Sequence, residues 1–176
     1  QKLGTAAAGQ IKVAVSTYGY ASVAATDLGR SAYTFYLAKA VEMNPNLADA
    51  WDERGTVRNL LANYHHDHGE DPRPDLELGL RHFKTALDGN PAMPQAMVHR
   101  AEALLLKANY LRETGLDPWK TLEEAEKASR NSRQINRDYG EIVATFADIL
   151  QFKAELLDER KLPFSQVLDE AREALG

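Results

Sequence analysis

The residues best suited to chemistry are the three histidines of segment 65–68, whose sequence is His-His-Asp-His. His65 and His68 are three residues apart, so their imidazoles could share one face of a helix. Imidazoles combined with a carboxylate suit zinc or nickel. One interpretation of the segment is therefore a metal- or small-ligand-responsive sensor that uses His65, His66 and His68.

A second interpretation of the same segment is a helix C-terminus, where partly charged histidines interact favourably with the helix dipole. The segment 46 residues later, 111–114, reads Leu-Arg-Glu-Thr and does not suit a metal. Metal sites need several converging ligands, and the absence of cysteine excludes thiolate ligands. We favour the structural interpretation, predict no cofactor, and keep the sensor as the alternative function.

Two arginines, Arg54 and Arg100, are also 46 residues apart, on a face expected to point inward. An inward arginine needs a carboxylate partner, because an unpaired buried charge is costly. An alternative role is the capture of a phosphate or carboxylate group on a binding partner. The candidate internal partners are the acidic residues Asp75, Glu77, Glu102 and Glu123.

The sequence contains no recognisable catalytic motif. It has no Gly-x-Ser-x-Gly elbow and no phosphate-binding glycine loop. Acidic runs such as 123–126 are typical of solvated helix faces. We therefore predict that the chain is not an enzyme.

Composition narrows the function classes further. The net charge is −5, and no basic stripe of the kind found in nucleic-acid-binding proteins is visible. The longest uncharged stretch, 13–26, is too polar for a transmembrane helix, and no signal peptide is evident. From the lack of cysteine and of a signal peptide we expect a cytoplasmic location. From the polarity of the longest uncharged stretch we expect no membrane insertion, and from the acidic charge we expect no nucleic-acid partner.

The elements that position these residues repeat at a step of 46 residues. A period in this range is typical of solenoids, in which each unit buries its apolar face against its neighbours. We expect one domain, 1–176, with a degenerate leading unit 1–43 and full units 44–89, 90–135 and 136–176. The step is set by matching positions such as Asn44, Asn90 and Asn136, then Leu60, Leu106 and Phe152, then Leu76, Leu122 and Leu168.

Apolar residues recur at steps of three and four, which predicts two helices in each unit. We place the first helices at about 48–68, 94–114 and 138–160, and the second helices at about 74–89, 118–132 and 164–175. The leading unit should contain helices at 6–20 and 28–43. Gly69 and Gly115 are predicted to end helices in the left-handed conformation, with Asp71-Pro72 and Asp117-Pro118 beginning the next helices.

The units resemble tetratricopeptide repeats, which are helix pairs of 34 residues. The first full unit carries residues that match the signature of that family, namely Trp51, Gly55, Gly79, Phe83, Ala86 and Pro91. The resemblance implies an all-α superhelix of antiparallel helix hairpins, a TPR-like solenoid. Gly55 should face Gly79 where the two helices approach closely. Each unit is 12 residues longer than the family unit (46 − 34), which should lengthen the first helix.

The repeated Ala-x-Tyr and Gly-x-Asp-Pro patterns are similar to repeat regions attached to bacterial serine/threonine protein kinases. The resemblance implies a non-catalytic protein–protein interaction scaffold within a larger bacterial signalling protein, with self-association as a further role. The chain has no kinase motifs of its own.

In the tetratricopeptide family the first helix of each unit lines a concave, partner-binding groove. Five of the eleven corresponding residues are acidic, which favours a protein or peptide partner with a basic or polar segment. By position these residues are Asp49, Asp52, Thr56, Asn59, Gln95, Val98, Glu102, Leu105, Glu141, Asp148 and Gln151.

Overall fold

The computed structural model describes residues 27–137 and 140–175, with side chains described from Thr34 onward. Within these ranges the chain forms seven α-helices and no strand, which confirms the all-α prediction for this part. The predicted helix at 6–20 lies outside the described residues. The helices are α1 (Asp27–Met43), α2 (Ala48–Asp67), α3 (Arg73–Gly89), α4 (Pro94–Glu113), α5 (Trp119–Ile135), α6 (Gly140–Glu159) and α7 (Ser165–Leu175).

Consecutive helices pair into hairpins. In the first, the end of α2 meets the start of α3, where His65 Nδ1 is 2.9 Å from Asp75 Oδ2. The start of α2 meets the end of α3, where the Trp51 and His82 rings lie 5.5 Å apart. The two helices therefore run antiparallel. The same extensive contact joins α4 to α5 and α6 to α7, and α2 also contacts α4, as α4 contacts α6.

The apolar core lies within the hairpins and between neighbouring hairpins. One cluster centred on Phe83 and Leu76 fills the first hairpin and reaches α4. A larger cluster of α4, α5 and α6 includes Leu104, Leu122 and Ile149. Because both clusters cross from one hairpin to the next, burial of apolar area holds neighbouring hairpins together.

Close approach in the first hairpin depends on two glycines, and one of them has a second role that was not predicted. A Cβ atom on Gly79 would lie 3.3 Å from the carbonyl oxygen of Gly55, so the backbones meet here as expected. A Cβ atom on Gly55, however, would overlap the ring of Phe83. Gly55 therefore makes room for a buried ring as well as for a neighbouring helix.

The turns within the hairpins share one geometry. Gly69 and Gly115 adopt φ values of 73° and 75°, which confirms the predicted left-handed conformation. The amide of Glu70 donates to the carbonyl of His65, and the amide of Gly69 to that of His66, which together form a Schellman motif. The next helix begins with Asp71 Oδ1 accepting a bond of 3.0 Å from the amide of Arg73, so Asp71 caps it as predicted.

The third hairpin turn repeats this motif with Lys161 at φ 58°, where the other units carry glycine. A left-handed conformation costs a non-glycine residue about 1 kcal/mol. We expect Lys161→Gly to raise the free energy of unfolding by about 0.5–1 kcal/mol, and Gly115→Ala to lower it by a similar amount. Urea denaturation would measure both, and a destabilised Lys161→Gly variant would contradict the assignment.

Across the described ranges, no helix combines the length and the apolar character that crossing a bilayer requires.

Candidate functional site

A groove of about 540 Å³ lies along the first helices of the three hairpins, α2, α4 and α6. All of its described lining residues come from these three helices. They are Thr56, Asn59, Leu60, Asn63, His99, Glu102, Leu105, Leu106, Asn109, Thr145, Asp148, Gln151, Phe152 and Glu155.

The lining residues fall into rows of equivalent positions, and successive members of a row are 46 residues apart along the chain. Four rows contain all three units, and a fifth contains two. The groove is thus built from the same helix face presented three times. The rows are 56/102/148, 59/105/151, 60/106/152, 63/109/155 and 99/145.

Polar contacts between α2 and α4 form one wall of the groove. His99 Nδ1 lies 3.0 Å from Asp52 Oδ1 and 3.3 Å from the hydroxyl of Thr56. Asn59 Nδ2 donates a bond of 3.0 Å to the backbone carbonyl of His99. Burial alone would lower the pKa of His99. The hydrogen bond and charge of Asp52, with the charges of Glu102 and Glu141, outweigh it and raise that pKa.

Glu102 lies at the centre of the groove, between α2 and α6. Thr145 on α6 donates a bond of 3.1 Å to its Oε1 atom. Burial raises the pKa of Glu102, and the charges of Glu141 and Asp148 raise it further. The charge of His99 and the hydrogen bond from Thr145 lower it. The carboxylate therefore sits where a nearby cation would stabilise its charge.

The structure brings six of the eleven predicted partner-binding residues to the groove. These are Thr56, Asn59, Glu102, Leu105, Asp148 and Gln151. Three more, Asp49, Gln95 and Glu141, are exposed but do not line it.

The other two need correction. Val98 is completely buried, and Asp52 is 4% exposed and bonded to His99. Neither side chain offers a surface to a partner.

Eight lining residues were not predicted from the sequence, namely Leu60, Asn63, His99, Leu106, Asn109, Thr145, Phe152 and Glu155. The sequence identifies the apolar row 60/106/152 as part of the repeat but does not place it. Leu60 is 38% exposed, whereas Phe152 is 8% exposed and also belongs to the core cluster of α4, α5 and α6. The 46-residue step extends a row once one of its members is known, but it does not show which rows face the groove.

The histidines of segment 65–68 turn to different partners. His65 pairs with Asp75, His66 Nε2 lies 2.7 Å from Glu113 Oε2, and His68 Nδ1 lies 2.7 Å from the carbonyl of Tyr64. Within the described ranges, no group of three or more histidine and acidic side chains is arranged to hold a metal. The segment lies at the C-terminal end of α2, and its side chains contact α3 and α4.

The repeated arginines also behave differently from the expectation. Arg54 stacks over Trp51, 4.9 Å from the ring centroid, and burial followed by the charge of Arg58 lowers its pKa. The expected partner Asp75 pairs instead with Arg58, at 2.8 Å. In the described part of the chain, neither Arg54 nor Arg100 has a carboxylate within ion-pair distance. Stacking on an aromatic ring replaces the predicted salt bridge at Arg54.

No protein-family model matches this chain, and no curated protein matches it.

Proposed function

We propose that this chain is a non-catalytic interaction scaffold, a TPR-like α-solenoid that docks a segment of another protein in the groove of α2, α4 and α6. The observation that supports this most directly is the composition of the groove: every described lining residue belongs to a row of equivalent positions. A surface that repeats along the chain suits a partner that also extends in one direction.

The contacts between hairpins support the same proposal. The polar contacts between first helices join residues 40 to 47 positions apart, as between Asp52 and His99, or Arg112 and Glu155. Each unit thus contacts its successor through nearly equivalent positions. Such stacking is the way in which solenoids build extended binding surfaces.

The parent protein we propose is a larger cytoplasmic signalling protein of a bacterium, such as a serine/threonine kinase. The support is the similarity of the Gly-x-Asp-Pro turns to those of kinase-associated repeats. In this chain the turns end one helix and cap the next, at Gly69 and Asp71 and again at Gly115 and Asp117.

Selection from a random linear peptide library displayed on phage tests the docking role. We expect enriched peptides to lose at least about tenfold in affinity, or about 1.4 kcal/mol, when Gln151→Trp fills the groove. Gln151 is exposed in the row 59/105/151, so a larger side chain there occupies space that the peptide needs.

The matched control is Gln134→Trp, at an exposed position of α5 that does not line the groove. It should leave the affinity unchanged. Circular dichroism and the thermal midpoint establish that both variants are folded. If no peptide is enriched, or if enriched peptides bind the Gln151→Trp variant as well as the unmodified chain, docking in this groove is refuted.

A further inference from the structure

The described lining of the groove carries an unbalanced negative charge. It includes the carboxylates Glu102, Asp148 and Glu155, but no lysine or arginine. Glu155 accepts a bond of 2.9 Å from Arg112. Within the described residues, Glu102 and Asp148 have no lysine or arginine within ion-pair distance. His99, whose charge lowers the pKa of Glu102, is already bonded to Asp52.

These two carboxylates occupy the same row, 56/102/148, on neighbouring helices. Burial raises the pKa of Glu102, and the charge of Asp148 raises it further. A cation placed between them would offset both effects, because an opposite charge within a few ångströms favours the ionised carboxylate. Charge complementarity therefore selects a positively charged occupant.

A second row adds an apolar requirement. Leu60, Leu106 and Phe152 lie four residues after the row of Glu102 and Asp148. Four helical residues advance about 6 Å. An extended chain that crosses the helices between these rows would direct alternate side chains to opposite sides. One set would meet the acidic row and the other set the apolar row.

The span of the groove sets the length of the docked segment. Packed helix axes are 8–10 Å apart, so crossing from α2 to α6 spans about 18 Å. An extended chain at about 3.3 Å per residue covers this span with five or six residues, and the two-residue alternation of its side chains matches the acidic row on one side and the apolar row on the other.

We infer that the groove takes an extended segment of a partner protein in which basic and apolar side chains alternate over about six residues. The basic side chains pair with Glu102 and Asp148, and the apolar side chains pack on Leu60 and Leu106. This inference rests on the proposed docking role and names the chemistry of the docked segment.

Fluorescence anisotropy with three labelled six-residue peptides tests it. The first alternates arginine and leucine, and the others replace arginine by glutamine or by glutamate. At low ionic strength we expect the arginine peptide to bind at least about tenfold tighter than the glutamine peptide, and the glutamate peptide to bind weakest. The preference should shrink as salt screens the charges.

The double variant Glu102→Gln/Asp148→Asn should abolish the preference for arginine while leaving the glutamine peptide unaffected. The matched control is Glu123→Gln/Glu124→Gln, which removes the same charge from two exposed positions of α5 outside the groove. An equal loss in the control would mean that general surface charge attracts the peptide, and the inference would then be wrong.

The two proposals fail in different ways. If the glutamine peptide binds as tightly as the arginine peptide and both are lost with Gln151→Trp, docking stands and the cationic occupant is refuted. If Gln151→Trp leaves the affinity for all three peptides unchanged, both docking in the groove and the extended basic segment are refuted.

Discussion

We expect Phe83→Ala to lower the free energy of unfolding by about 3–5 kcal/mol, the usual cost of truncating a buried phenylalanine. The Phe83 ring is completely buried and packs in the cluster that joins α2, α3 and α4. Its loss leaves a cavity where helix α3 crosses Gly55. Urea denaturation followed by circular dichroism measures the change.

A double-mutant cycle with Gly55 separates this contact from a general loss of core. Gly55→Ala should destabilise the unmodified chain by about 1–3 kcal/mol, because its methyl group overlaps the Phe83 ring. In the Phe83→Ala background the same change should stabilise, since alanine exceeds glycine in helix propensity by about 1 kcal/mol. Gly89→Ala, whose Cβ would make only ordinary contact at 3.8 Å, is the control. Additive effects of the two substitutions would disprove the packing described here.

The neighbouring unit supports this account by size compensation. Its equivalent positions carry Ala101 and Ser129, both completely buried. In the first hairpin Gly55 faces the large Phe83. In the second hairpin Ala101 takes the place of the glycine, and Ser129 takes the place of the phenylalanine. The methyl group that would overlap the Phe83 ring in the first hairpin is accommodated in the next hairpin, where the small side chain of Ser129 replaces the ring.

We expect His82 to make the protein acid-sensitive. Burial, followed by the charge of Arg54, lowers the pKa of His82 to about 4, below the value of about 6.5 in an unfolded chain. The unfolded state therefore binds more protons between pH 6.5 and 4, and stability falls as the pH falls. Relative to His82→Leu, the unmodified chain should lose up to about 3 kcal/mol between pH 7 and pH 4.

Urea denaturation at several pH values, with NMR titration of the His82 ring, measures this effect. The groups that act on the ring are Arg54, Arg58 and Arg81. Arg54→Leu should reduce the loss without abolishing it, because burial is the larger cause. Glu102 acts in the opposite direction, since its raised pKa favours the folded state as the pH falls. Parallel stability profiles for His82→Leu and the unmodified chain would rule out the role of His82.

Helix positions within the described residues could be predicted because the signals for them are local. The 46-residue step, the apolar spacing and the Gly-x-Asp-Pro turns placed most helix ends within one residue. The exceptions are α5, which continues to Ile135 rather than ending at 132, and α6, whose described residues begin at Gly140 rather than at 138. The conformation of Gly69 followed from its position at a helix end.

The groove residues were predicted less completely, since periodicity gives the face of a helix but not what covers that face. Leu60 and Val98 are both apolar residues of first helices, yet Leu60 lines the groove and Val98 is buried. Asp52 was expected on the surface, but α4 brings His99 against it. Which side chain is covered depends on how α2, α4 and α6 are rotated about their axes.

By itself, therefore, the sequence determined most helix ends within the described residues, because these depend on neighbours along the chain, and the overall acidic charge, which depends on composition alone. Only the tertiary structure decided that Gly55 accommodates Phe83, that Asp52 meets His99, and that Glu102 and Asp148 share one groove. Those relations join residues on different helices, 28 to 47 positions apart, and they follow from the contacts of packed side chains, which no single segment encodes.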